Sequence, residues 1–182
     1  MSNVFIIHGV GGSPGENWFP WLKKELEKLD CRVFVPQFPT PENQTLANWL
    51  AVLNKYKSYL DRDSIVVGHS LGVSFLLNVI EENPVKAAFL VAGFTGKINP
   101  DFDEDMKTFA QREFSWQKIK QNCKKFYVFY SDNDPYVRIE KGGELSKNLG
   151  VDGILVKNAG HFNQAAGYTK FGLLLENIKN EL

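Results

Sequence analysis

Ile65-Val66-Val67-Gly68-His69-Ser70-Leu71-Gly72, with the apolar run 73–80 behind it, is the stretch that decides how this chain is read. The β-branched residues predict a strand and the apolar run a helix. Between them, glycines flank a serine. Small flanking residues let the chain turn sharply without clashing with strand or helix. A serine at such an apex is held in a strained, exposed conformation at the end of a sheet, where its hydroxyl can act as a nucleophile. The same residues would also serve as a plain serine N-cap, worth ~1 kcal/mol to the helix. The strand-turn-helix context favours the nucleophile, and the rest of the chain must then supply its partners.

Outward from this point, short apolar runs alternate with longer segments of helical period. Strands are expected at 4–7, 31–35, 63–67, 87–91, 126–130 and 154–157. Helices are expected at 18–29, from 46 to 60 with Thr45 near the start, and at 71–82, 116–122 and 139–148. Phe171, Leu174, Leu175 and Ile178 mark a closing helix. Residues 92–115 read as a looser stretch without clear period. Alternation at this spacing predicts an α/β fold of parallel strands joined by right-handed crossovers. Near-continuous apolar strands predict a sheet covered on both faces.

The 182 residues suit one domain spanning 1–182. Lys+Arg and Asp+Glu both total 21, so the chain has no net charge. That balance argues against nucleic acid, which needs a basic face, and offers nothing to an anionic membrane. The two cysteines, Cys31 and Cys123, are too few for a disulfide framework and suit a reducing compartment. No apolar run reaches the ~18 residues of a membrane span. Met1-Ser2-Asn3 shows no basic leader region. The expectation is a soluble, cytoplasmic protein with a small-molecule substrate. No metal or cofactor motif is present.

In open α/β sheets the site lies beyond the carboxyl ends of the strands, so candidates must sit just after strands. Ser70 does. So do His8-Gly9-Val10-Gly11-Gly12, Asp132-Asn133-Asp134 and Gly160-His161-Phe162. A serine hydroxyl needs a base at neutral pH. Of the 3 histidines, His8 lies after the first strand and His69 adjoins Ser70 too closely to fold back onto it. His161 follows the last strand and can reach across, so it is assigned the base. An acid must orient that base. Asp132 and Asp134 both qualify, one of them expected to be only a turn-former, with Asp101, Asp103 and Asp105 as fallback. The oxyanion requires two fixed N–H donors. Leu71, at the start of the helix, supplies one; Val10 or its neighbour Gly9 supplies the other. Gly9-Val10-Gly11-Gly12 lacks the lysine of a phosphate-binding loop. Asp101-x-Asp103-x-Asp105 opens like a calcium loop but has Met106 and Arg112 where glycine and glutamate belong, and reads as a solvated acidic turn. Phe94, Phe102, Phe109, Phe114 and Trp116 could line an acyl pocket, about half of them being ordinary core.

These residues resemble the YdeN-like and retinoblastoma-binding-protein-9-like small serine hydrolases of the α/β-hydrolase superfamily. The resemblance spans nearly the whole chain. It runs through Ile6-Ile7-His8-Gly9, the tryptophan-bearing Trp18-Phe19-Pro20-Trp21-Leu22, Gly68-His69-Ser70, Trp116-Gln117-Lys118-Ile119, Ser131-Asp132-Asn133-Asp134 and Gly160-His161-Phe162. The family's acid stands in a D-x-x-[VL]-P-like frame. Asp134-Pro135-Tyr136-Val137 fits it, so the resemblance selects Asp134, with Arg138 departing where the family often has proline. It further implies a compact domain without a large lid and the strand order 2-1-3-4-5-6.

The expected activity is hydrolysis of an ester, thioester or amide through an acyl-enzyme, with Ser70, His161 and Asp134 as the triad. The alternative is a non-catalytic interaction module that keeps the fold. A narrower variant is a peptidase whose residues 101–105 attract a substrate ammonium.

Overall fold

A computed structural model describes residues 1–182. The strands β1 (Asn3–Ile7), β2 (Arg32–Phe34), β3 (Ile65–His69), β4 (Ala87–Val91), β5 (Lys125–Ser131) and β6 (Ile154–Val156) form one parallel sheet. Its order is β2-β1-β3-β4-β5-β6, as the resemblance implied. Strand order reverses between β1 and β3, which opens a crevice at their carboxyl ends.

The helices are α1 (Phe19–Glu27), α2 (Leu46–Leu53), α3 (Leu71–Glu82), α4 (Pro100–Ala110), α5 (Trp116–Asn122), α6 (Ile139–Leu149) and α7 (Gly172–Lys179). Alternate strand residues feed opposite faces. Phe5, Ile7, Val66, Ala88, Leu90 and Val128 pack beneath α2 to α6. Val4, Ile6, Val67, Phe89, Val91 and Phe129 pack against α1 and α7. Every residue of β3 and β4 is buried, which is why both read as unbroken apolar runs. The helix α3 is buried from Leu71 to Glu81, so it runs through the interior of one helical layer. Cys31 and Cys123 are unpaired and buried. No helix is long and apolar enough to cross a membrane.

Three local expectations need correction. The stretch 92–115 is not loose: it contains α4, whose first turn is capped by the Asn99 side chain accepting from the Asp101 N–H. Asp101, Asp103 and Asp105 therefore lie on a helix, not in a turn. Asp103 accepts from the Ile98 and Asn99 N–H groups, and acidic residues there face the positive end of the helix dipole. The expected helix 46–60 is α-helical only to Leu53 and tightens to 3-10 geometry over Asn54–Tyr59. The third strand runs on to His69, which pairs in register with Val91. His69 is thus the last strand residue and Ser70 alone makes the turn.

Candidate active site

Ser70 sits at φ 54°, ψ −122°, a conformation that costs a non-glycine residue of order 1–3 kcal/mol. Its N–H donates to the Val91 carbonyl at 2.9 Å and its own carbonyl accepts from the Val73 N–H at 2.9 Å. Backbone on both sides therefore holds the strain. A Cβ on Gly72 would lie 2.5 Å from the Ile7 carbonyl oxygen, and one on Gly68 would lie 2.9 Å from the Gly72 carbonyl oxygen. The two glycines are required because α3 presses its first turn against the ends of β1 and β3. The Ser70 side chain makes no capping hydrogen bond to α3, which removes the plain N-cap reading. Ala92 and Phe162 also have positive φ, and they follow β4 and β6 at the same sheet edge.

His161 is the residue the β5 and β6 loops converge on. Its Nδ1–H donates to Asp134 Oδ2 at 2.7 Å, and both side chains are buried, at 10% and 2% exposure. The other carboxylate oxygen, Oδ1, accepts from the Tyr136 and Val137 N–H groups at 2.9 and 3.0 Å. Asp132 does not reach His161; its Oδ1 accepts from the Asn158 N–H at 2.7 Å. Of the paired candidates, Asp134 meets the histidine, and Asp132 ties the β5 loop to the β6 loop instead of closing the local turn expected of it. The intervening side chains extend this pattern. Ser131 Oγ accepts from the Ala159 N–H at 3.1 Å and Asn133 Oδ1 from the Gly160 N–H at 2.7 Å. Four consecutive residues from the end of β5 onward, 131 to 134, thus hold four consecutive residues after β6, 158 to 161.

The other two histidines serve the backbone. His8 is fully buried; its Nδ1–H donates to the Gly9 carbonyl at 2.8 Å and its Nε2 accepts from the Phe38 N–H at 3.0 Å. Burial pushes its pKa down, so the ring is neutral and pins the loop after β1. His69 donates from Nε2 to the His161 carbonyl at 2.8 Å. Burial, with the neighbouring His161 adding to it, pushes the His69 pKa down to about 3.

Ser70, His69 and His161 line a cavity of about 290 Å³, which Gly9 and Val10 enter from the β1 loop. The Val10 N–H makes no backbone hydrogen bond. Leu71 stands at the N-terminus of α3, where unpaired N–H groups and the helix dipole favour negative charge. Beside the expected Phe102, residues that sequence reasoning missed also line the cavity: Ile98 and Met106 on the α4 segment, with Glu16, Asn17 and Asn163. Ile98, Phe102 and Met106 stand four residues apart, a helical signal present in the sequence but hidden among acidic neighbours. Of the five aromatics considered for the pocket, only Phe102 lines it. Phe94 and Phe109 are core, and Phe114 and Trp116 pack at the core's margin. Asp101, Asp103 and Asp105 do not line the cavity.

A doubly wound parallel sheet with a strained serine after β3 and an aspartate–histidine pair joining the β5 and β6 loops defines an α/β-hydrolase. The family model described as Serine hydrolase matches residues 4–180, and the chain belongs to that family of enzymes. The protein YdeN of Bacillus subtilis (strain 168) is 29% identical over 177 residues, covering 95% of this chain and 92% of that protein. The serine hydrolase RBBP9 of Rattus norvegicus is 27% identical over 184 residues, covering 100% and 96%. The crystal structure of the B. subtilis ydeN gene product superposes with a TM-score of 0.91 at 28% identity, covering 100% of this chain and 98% of that one.

Proposed function

We propose that this hydrolase cleaves a small ester, thioester or amide through an acyl-enzyme, with Ser70 as nucleophile, His161 as base and Asp134 as its orienting acid. The observation that carries the reading is the 2.7 Å bond from His161 Nδ1–H to Asp134, made beside a cavity that Ser70 and His161 both line. That bond commits Nδ1 as donor, so Nε2 is left unprotonated to take the serine proton.

In the first step Ser70 Oγ bonds to the carbonyl carbon as His161 Nε2 takes its proton. The carbonyl π electrons move to oxygen, and that oxyanion accepts from the Leu71 and Val10 N–H groups. Collapse breaks the bond to the leaving group, which receives the proton from His161. Water then attacks the acyl-serine by the same path, releasing the acid and restoring Ser70. Asp134 stabilises the imidazolium in both steps and does not itself take the proton. Ile98, Phe102 and Met106 give the cavity an apolar wall suited to an uncharged acyl group. Of residues 101–105 only Phe102 lies on that wall, so the acids on which the peptidase variant relied do not line the cavity.

A fluorophosphonate probe tests the assignment. Folded wild type should label stoichiometrically, Ser70→Ala should not label, and His161→Ala should lose at least about 1000-fold in kcat on p-nitrophenyl acetate. Folded wild type that stays unlabelled, or a Ser70→Ala variant that labels equally, overturns it.

A further inference from the structure

We infer that His69 is a positioning residue that fixes His161 in reach of Ser70, through the hydrogen bond from its Nε2–H to the His161 carbonyl. The inference rests on the reading of His161 as the base. His69 precedes Ser70 in the chain and reaches the main chain of His161 at 2.8 Å, so one side chain joins the nucleophile's turn to the base's loop.

That loop needs fixing. Gly160 and Phe162 both have positive φ, at 54° and 51°, so residues on both sides of His161 are in left-handed conformations. Its N–H groups at 158–160 are held from β5 by Asp132, Ser131 and Asn133. Two of its carbonyls are held from the end of β3 and the residue before α1. The His161 carbonyl takes the His69 N–H, and the Phe162 carbonyl takes the Trp18 indole N–H at 2.9 Å. His69 is 4% exposed, and its ring lies edge-on to Trp18 and Phe19, with centroids 6.1 and 6.0 Å away. Its centroid is 4.8 Å from that of His161. A neutral donor is the only kind this place tolerates. A lysine or arginine would set a fixed positive charge against the imidazolium that forms on His161 during each proton transfer. Burial keeps the His69 ring neutral, so it donates without opposing that charge.

The test compares His69→Gln, which keeps a terminal N–H at similar reach, with His69→Phe, which keeps bulk but no donor. Both are made in wild type and in the His161→Ala background, with kcat and KM measured on p-nitrophenyl acetate. His69→Phe should lower kcat about 10- to 100-fold with KM within about twofold, since misplacement of a catalytic group by ~1 Å costs ~100-fold. His69→Gln should return kcat to within about fivefold of wild type, and His69→Phe should have no further effect once His161 is gone. A folded His69→Phe with wild-type kcat, or an equal fractional loss in the His161→Ala background, overturns the inference. Should His69→Phe fail to fold, a folded His69→Gln with kcat below about one-tenth of wild type overturns it instead. Wild-type activity in His161→Ala alone overturns the catalytic reading, a separate outcome.

Discussion

Asparagine at position 134 would occupy the space of the aspartate and could still accept the Tyr136 and Val137 N–H groups through its oxygen. Its amide nitrogen would then face His161 Nδ1. Donor would meet donor, and the ring would shift its proton to Nε2, where the base must be free. Asp134→Asn should therefore lower kcat by about 1000- to 10,000-fold while the thermal midpoint moves little, as steady-state kinetics beside calorimetry will show. A second prediction concerns His69 and pH. In the unfolded chain it titrates near 6.5, and in the folded chain at about 3. Between those values the unfolded state binds the extra proton. Stability is thus full above pH 6.5 and falls as pH drops, by up to about 1.4 kcal/mol per unit from this group. His8, also lowered by burial, acts in the same direction. Tm followed from pH 7 to 4 should fall less steeply for His69→Gln than for wild type; parallel curves would show that His69 is not held neutral. At this scale the sequence exposed Ser70, His161 and the paired aspartates through their places after strands. It did not expose His69, because a hydrogen bond across 92 residues leaves no local pattern.

Among the elements, α4 is where sequence reasoning stopped short. Its apolar positions Phe102, Met106 and Phe109 follow a helical period, but the aspartates at 101, 103 and 105 break the apolar stripe, so the segment looks like solvated loop. The Asn99-Pro100 pair was the legible start signal: a capping side chain followed by proline at the first helical position. The helix builds one wall of the cavity. Phe102 is 43% exposed there, so it adds little to stability and is free to contact substrate. Phe102→Ala should change the unfolding free energy by no more than about 0.5 kcal/mol. It should weaken kcat/KM for hexanoyl or aromatic p-nitrophenyl esters by about tenfold, with acetyl ester turnover nearly unchanged, because only larger acyl groups bury against the ring. A series of acyl chain lengths on both proteins measures this; a uniform loss across the series would place Phe102 elsewhere than on the acyl wall.

For the molecule as a whole, two apolar layers on either face of one sheet hold the site's loops at a common edge. The layer under α2 to α6 centres on α3, where Phe75 is fully buried and packs on Phe38 and Trp49 with ring centroids 5.2 and 5.3 Å away. Phe75→Ala should cost about 3–5 kcal/mol, a large share of the ~5–15 kcal/mol that holds a domain folded. Urea unfolding should show the midpoint lowered, and activity should be lost with folding rather than before it. A midpoint shifted by less than the equivalent of about 1 kcal/mol would mean this layer is not the core it is described as.

The strand-helix alternation, and with it the α/β class, was written in the sequence by itself. So was the position of each candidate loop after a strand, because periodicity and turn chemistry are local properties that neighbours along the chain express. The elbow's glycines were legible too, though their reason was not: Gly72 is required by the carbonyls of Ile7 and His8, more than 60 residues away. The residues by themselves left Asp132 and Asp134 open, and the family frame selected Asp134; the contact of Asp134 with His161, the aromatic that reaches the cavity and the hydrogen bond of His69 to the His161 carbonyl are set by tertiary structure. Each depends on distances between segments remote in sequence, set by how the two apolar layers pack and how the sheet aligns its strand ends.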